Sequence, residues 1–161
     1  MKLLLVLAVL LVAGPLLAGQ AGWLAGTMPS DLGVRDGRLK PPSLTRNSVS
    51  SQAALYPEHP QRDTAHVAPL NWLPEGPEAS MAALLQVLQT TPGVTIVQQD
   101  ASYIQATART RWLGFVDDVE FWFDPQTQTI AVRSASRIGR EDFGANRQRV
   151  EAIRQRYLER R

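Results

Sequence analysis

Cysteine is absent from the 161 residues, which removes disulfides, thiolate metal sites and a cysteine nucleophile together. Redox chemistry therefore says nothing about the compartment. Histidine is scarce as well. Its two copies, His59 and His66, both fall in a proline-rich stretch, so a metal site or a serine–histidine pair has little to draw on. No Gly-x-Ser-x-Gly elbow occurs, which leaves a hydrolase triad unsupported. The net charge is only +2, but it is unevenly spread: nine arginines stand from Arg133 onward against Glu141, Asp142, Glu151 and Glu159. With the N-terminal apolar run set aside, roughly 130 residues remain, enough for one domain with a single core and too few for a second catalytic domain.

What is present begins with Met1-Lys2 and an apolar run over residues 3–24, interrupted only by Gln20 and carrying small residues at Ala18, Gly19, Ala21 and Gly22. Two readings stand side by side: a signal peptide cleaved near Gly19-Gln20-Ala21, or an uncleaved span, since about 20 apolar residues cross a bilayer. Lys2 is the one positive charge ahead of the run, which puts the N-terminus in the cytoplasm and the domain on the periplasmic side. Cleavage would release the domain into the periplasm instead. No cysteine follows the run, so a lipoprotein anchor is excluded.

Three regions result: a signal peptide or membrane anchor over residues 1–26, a proline-rich segment over 27–77, and a core over 78–161. The middle region holds eight of the eleven prolines. Proline lacks an N–H and clashes inside a helix, so an extended wrap is expected there, with one short strand near residues 66–72. From Glu78, Met81, Leu84, Leu85 and Leu88 recur at helical spacing, Pro77 sits where a first-turn proline is tolerated, and Thr91-Pro92-Gly93 ends the run. Strands are predicted over residues 94–98, 103–110, 116–123 and 129–137, the last two joined by Asp124-Pro125-Gln126-Thr127. A final helix starting near Asp142 puts Asn146, Val150, Ile153 and Tyr157 on one face. The expected fold is α+β: a four-stranded antiparallel sheet with two helices packed on one face, preceded by the proline-rich wrap and an N-terminal apolar helix.

The third and fourth strands carry the unusual chemistry. Period two places Val119, Phe121, Phe123, Ile130 and Val132 on the core side. Asp118, Glu120 and Trp122, with Ala131, Arg133, Ala135 and Arg137, then share the other face. With Phe123 opposite Ile130, Glu120 falls opposite Arg133, and Asp118 and Arg137 stand diagonal or adjacent to that pair. Charges in mid-strand are paired or used. The structural reading is an ion network pinning the wrap to the sheet. The functional reading gives Asp117, Asp118 and Glu120 a cation or acid–base role, with Arg133 and Arg137 holding an anion.

The last helix carries Arg147, Arg149, Arg154, Arg156, Arg160 and Arg161 around its apolar stripe. These are expected to be solvated or to meet anionic head groups beside the membrane. Nucleic acid is not expected, because no aromatic platform is interleaved with the arginines.

Four blocks together resemble the family of bacterial and plastid proteins called domain of unknown function 1499. They are Asn47-Ser48-Val49-Ser50-Ser51-Gln52, Gly114-Phe115-Val116-Asp117-Asp118-Val119-Glu120-Phe121, Val132-Arg133-Ser134-Ala135-Ser136-Arg137-Ile138-Gly139 and Asp142-Phe143-Gly144-Ala145-Asn146-Arg147. The resemblance covers residues 32–157. It implies cysteines at places occupied here by Pro42 and Ser48, so a thiol function shared by the family is not carried into this chain. It implies no established activity. Asn47, Ser50, Ser51 and Gln52 are expected to close as a polar lid over the Arg133 and Arg137 face.

The candidate ligand-binding residues are thus Asp117, Asp118, Glu120, Arg133, Ser134, Ser136 and Arg137 on the hairpin, Asn47, Ser50 and Ser51 on the wrap, and Asn146 and Arg147 on the last helix. No catalytic residue, metal ligand or cofactor is assigned. The expectation is a non-enzymatic binding or structural module of the cell envelope, with a small anionic ligand, an anionic lipid or a protein as partner. The alternative is an enzyme using the three carboxylates with Arg133 and Arg137 as an anion clamp.

Overall fold

The computed structural model describes residues 2–160, apart from the side chains of Leu3, Leu5, Val6, Ala8, Val9, Leu10 and Val12. In chain order the elements are helix α1 (Lys2–Gln20), strand β1 (Ser48–Ser50), a single 3₁₀ turn (Ala53–Leu55), helix α2 (Arg62–Ala65), β2 (Leu70–Asn71), α3 (Pro77–Gln89), β3 (Val94–Gln99), β4 (Tyr103–Arg109), β5 (Val116–Asp124), β6 (Thr129–Ser136) and α4 (Ala145–Leu158).

β3 to β6 form an antiparallel meander, ordered β6-β5-β4-β3, and the expected strand positions hold to within a residue or two. The sheet has six strands rather than four. β1 and β2 lie end to end along the outer edge of β6, Val49 opposite Ser134 and Leu70 opposite Ile130. An uncovered β6 would present a row of unpaired N–H and C=O groups, and the wrap satisfies them. Two short strands suffice for that, with prolines only outside them. The wrap also admits α2 and the 3₁₀ turn, each too short to meet a proline.

α3 and α4 cover one face of the sheet. Pro77 opens α3 after Gly76, whose φ is +100°. The buried Ser80 hydroxyl ties that turn together, accepting from the Leu73 N–H at 2.8 Å and donating to the Gly76 carbonyl at 2.7 Å. Leu84, Val87 and Leu88 of α3, with Val150, Ile153 and Tyr157 of α4, pack on Ile104, Ala106, Val119, Phe121, Phe123, Ile130 and Val132. All of these are buried. α4 begins at Ala145, near the expected start, and Asp142 stands just ahead of it. Its carboxylate accepts from the Gly144 and Asn146 N–H groups, both at 2.9 Å, satisfying donors that a helix start leaves open.

The opposite face is covered by the chain ahead of β1. Leu39 packs there against Tyr103 and Ala131, with Trp122 alongside. The sheet is therefore the middle layer of three: helices, sheet, wrap.

α1 is helical as expected, whereas its character as an apolar span rests partly on side chains outside the described residues. Among the described residues no helix is long and apolar enough to cross a membrane. The end of α1 abuts the β4–β5 loop: Gly19 is buried against Leu113 and Gly114.

Candidate functional site

Alternation along β5 and β6 sends neighbouring residues to opposite faces. The charged segment therefore yields two separate networks, one under the wrap and one under α4.

The network under the wrap centres on Glu120, which is 0% exposed and stands directly opposite Arg133 and Gln105. Arg133 Nη1 donates to Glu120 Oε2 at 3.2 Å, and Arg133 Nε donates to the Pro41 carbonyl at 3.3 Å. Glu120 Oε1 accepts from the Tyr103 hydroxyl and from the Gly33 N–H, both at 2.8 Å. Next to this pair Arg137 grips Asp118 with two bonds of 3.0 and 2.8 Å, the fork geometry that suits guanidinium to carboxylate. The Tyr103 phenol is pushed well above its usual range, first by burial and then by the neighbouring Glu120 charge. It therefore stays a protonated donor.

The cover on this network is residues 28–41, not the expected lid. The Asn47-to-Gln52 block instead extends the sheet edge. Ser51 exchanges bonds with Val132, its N–H donating to the carbonyl at 2.8 Å and its hydroxyl accepting from the N–H at 2.9 Å. Ser50 is fully buried opposite Arg133 in the β1–β6 register. Gln52 reaches back, and its Oε1 accepts from the Leu39 N–H at 2.7 Å. The block misled because its polar residues serve backbone groups, which the β6 edge supplies in number. Where the family resemblance implies a cysteine, Ser48 accepts from the Ser43 N–H at 2.8 Å, so a hydrogen bond holds the turn there.

The network under α4 gathers Asp117, Ser134, Ser136, Asn146 and Asn47. Arg149 Nη2 donates to Asp117 at 2.5 Å, and its Nη1 donates to Ser134 Oγ at 3.1 Å and Asn146 Oδ1 at 2.8 Å. Asn146 is 0% exposed, and its Nδ2 donates to the Asn47 carbonyl, Ser136 Oγ and Asp142 Oδ2 at 3.1, 3.0 and 2.8 Å. Asn47 Nδ2 in turn donates to the Gly139 carbonyl at 2.7 Å. Buried polar groups are tolerable only when bonded in this way.

Ser134, Ser136, Asp117, Asn47 and Asn146 thus meet one another but not Glu120 or Arg133. Ser50 and Ser51 belong to the edge. Arg147 stands apart, donating to the His66 and Thr64 carbonyls at 2.9 and 2.8 Å. The expectation that the α4 arginines are solvated is corrected for several of them. Arg154 donates to the Pro69 carbonyl at 2.7 Å and also bonds Ala68 and Glu151, while Arg156 reaches Thr90 and Thr91 of the α3 end. The wrap ends many of its backbone carbonyls beside α4, and guanidinium is the side chain with enough donors to serve them.

Sequence reasoning missed Arg149, Asp142 and Tyr103. Arg149 lies three residues after Asn146, and that helical neighbour spacing was the available signal. Tyr103 shares its face with Gln105, and the antiparallel β4–β5 register then carries it to Glu120.

A cavity of about 270 Å³ lies beside Asp118, Arg133 and Arg137, walled by Pro29, Lys40 and Pro41. Both arginines there are already bonded within the protein, and Lys40 pairs with Asp31 at 2.6 Å. Among the described residues no three of His, Asp and Glu group so as to hold a metal ion.

A sequence model of a family described as a protein of unknown function (DUF1499) matches residues 38–157. No curated protein and no solved structure matches the chain.

Proposed function

Because the chain belongs to the DUF1499 family of proteins of unknown function, which carries no activity to inherit, we propose from its geometry that it is a non-enzymatic cell-envelope module held at the membrane by a retained α1. The observation that carries this reading is the way the last turn of α1 is built into the domain. Gln20 Nε2 donates to the Arg111 and Trp112 carbonyls at 3.2 and 3.0 Å, and Arg109 Nη2 donates to the Gly19 carbonyl at 3.0 Å. These are the residues around which a signal peptidase would cut, and removing them would leave the Arg109 guanidinium without that acceptor.

The surface near this junction suits a bilayer. Leu4, Leu7, Leu11 and Leu17 of α1 are all exposed, an arrangement that water disfavours and hydrocarbon does not. The apolar run begins at Leu3 and α1 carries it in helical form to Gln20, about 27 Å of helix beside a hydrocarbon core of about 30 Å. Trp23 and Trp112 are exposed next to the helix end, and Arg111 lies 5.0 Å over the Trp112 ring. Tryptophan and arginine at that level are favoured at membrane interfaces. Any contact with anionic head groups would fall to Arg111 rather than to α4, where Arg147 and Arg154 bond the wrap, Arg149 the sheet and Arg156 the end of α3. The non-enzymatic part of the reading is supported by Asp117, Asp118 and Glu120, each ion-paired with a different arginine inside the protein.

Intact mass of the protein from the membrane fraction tests retention. The expected mass includes the residues of α1, and a mature chain starting near Gly22 would sink the proposal.

A further inference from the structure

The end of the sheet on which α1 sits is also the end where the domain leaves its largest apolar side chains uncovered. β4 finishes and β5 starts there, Arg109 standing opposite Val116, and β6 finishes there, Ser136 opposite Asp117. Ser48 lies opposite Ala135, so the chain entering β1 arrives at the same end. The Asp142 N–H donates to the Arg46 carbonyl at 3.3 Å and ties that entry to the β6–α4 loop. The chain leaving α1 crosses this end, from Gly19 against Leu113 to Gly26 against Arg137 and Ile138.

Three loops make up the surface, residues 42–46, 110–115 and 137–144. Each presents one large apolar side chain to solvent: Leu44, Trp112 and Phe143 are 74%, 66% and 90% exposed. No other large hydrophobic of residues 27–160 exceeds 48%, so the three most exposed ones stand on separate loops at one end of the molecule. Apolar residues scattered singly need no explanation, whereas a set gathered at one end marks an interaction surface. Phe143 also holds φ at +51°, so the loop bears backbone strain to present a ring that the domain does not bury.

The charge at this end is complementary to lipid phosphate. Each loop carries an exposed arginine, Arg46, Arg111 and Arg140, and none of the three forms an ion pair among the described residues. The acidic residues of these loops are Glu141 and Asp142, and the Asp142 carboxylate is occupied by the Gly144 and Asn146 N–H groups. The turns at the opposite end of the sheet, residues 72–76, 100–102 and 124–128, hold Glu75, Asp100 and Asp124 and no basic residue. Apolar tips beside unpaired guanidinium groups match the layering of a bilayer surface, acyl chains below and phosphates above.

We infer that this end of the domain docks on an anionic bilayer, with Leu44, Trp112 and Phe143 entering the boundary between head groups and acyl chains and Arg46, Arg111 and Arg140 meeting lipid phosphates. The inference rests on the reading of α1 as a membrane anchor, which brings this end to the bilayer. The dock fixes the orientation of the domain, with the β3–β4 and β5–β6 turns facing away from the membrane.

The chain has no cysteine, so a single substitution places a probe at one site. The test uses the full chain in nanodiscs of phosphatidylcholine and phosphatidylglycerol, with an NBD fluorophore on Leu44→Cys, Phe143→Cys, Gln126→Cys or Leu11→Cys and nitroxide-bearing lipid as quencher. Quenching is expected at positions 44 and 143 and not at 126, which lies on the β5–β6 turn. Position 11 reports the anchor separately. Quenching there but not at 44 and 143 would overturn the dock and leave the anchor standing, and no quenching at 11 would remove the anchor and the dock with it. A blue shift at 143 without lipid quenching would place a second copy of the chain over the loop and also overturn the assignment. Quenching at 143 should fall severalfold when phosphatidylglycerol is omitted, and likewise in the triple variant Arg46→Gln, Arg111→Gln, Arg140→Gln, whose melting should match that of the parent. Equal quenching in all three cases would overturn the role given to the arginines.

Discussion

Gly19 and Gly114 meet backbone to backbone: a Cβ on Gly114 would lie 2.4 Å from the Gly19 carbonyl oxygen, and one on Gly19 would lie 2.1 Å from the Leu113 carbonyl oxygen. Neither contact can be relieved by turning a side chain. Gly114 also holds φ at +64°, where an L-residue is strained. Glycine at both places is what allows the end of α1 to seat on the β4–β5 loop.

Gly19→Val is therefore expected to unseat the end of α1 while leaving the sheet and its helices intact. The measurement is limited proteolysis of the micelle-bound chain, with cleavage over residues 20–26 accelerating and the melting transition of the domain changing little. Equal protection in parent and variant would show that the junction contributes nothing.

Glu120 and Arg133 are expected to be strongly coupled. Glu120→Gln leaves Arg133 buried beside a neutral group, and breaking one side of a buried pair costs roughly 3 to 5 kcal/mol. Urea unfolding of the single and double variants measures this, the double change Glu120→Leu with Arg133→Met recovering much of the loss. Arg137→Gln and Arg149→Gln lie on opposite faces and share no partner, so their effects should add within about 0.5 kcal/mol. A loss under about 1 kcal/mol for Glu120→Gln would mean the pair behaves as an exposed one.

Tyr103 makes stability sensitive to alkali. Its folded pKa is raised, by burial and then by Glu120, above an unfolded value of about 10. Its contribution is therefore complete below pH 10 and falls as pH rises beyond that, because only the unfolded chain releases the proton. Melting temperature against pH should decline above about 10, and Tyr103→Phe should flatten that decline. Tyrosinate absorbance should show the Tyr103 phenol ionising only as the chain unfolds; ionisation in the folded protein near pH 10 would refute this.

Much of this arrangement was legible in the chain. Two apolar rows with period two admit few registers, which is why Glu120 opposite Arg133, with Asp118 and Arg137 beside that pair, could be read from residue order alone. Val150, Ile153 and Tyr157 declared their helix face for the same reason. The division of the polar residues was present in the parity of 117 against 118 and 133 against 134, but contiguity in sequence hid it: neighbours along a strand look like one cluster and lie on two sides of a sheet.

The sequence by itself determined the local periods, the stops between elements, the absence of thiol chemistry and the pairing across the β5–β6 hairpin, because these depend on residues close together or on a two-residue repeat. Tertiary structure alone decided what the wrap does. Three residues at Ser48 and two at Leu70 become strands only because β6 offers them an open edge. Arg149 finds Asp117, and Arg154 finds the carbonyls of Ala68 and Pro69, only after the chain has returned on itself. A guanidinium carries no mark of its acceptor in the sequence, so whether it faces water or closes a network is settled by which backbone comes to lie beside it.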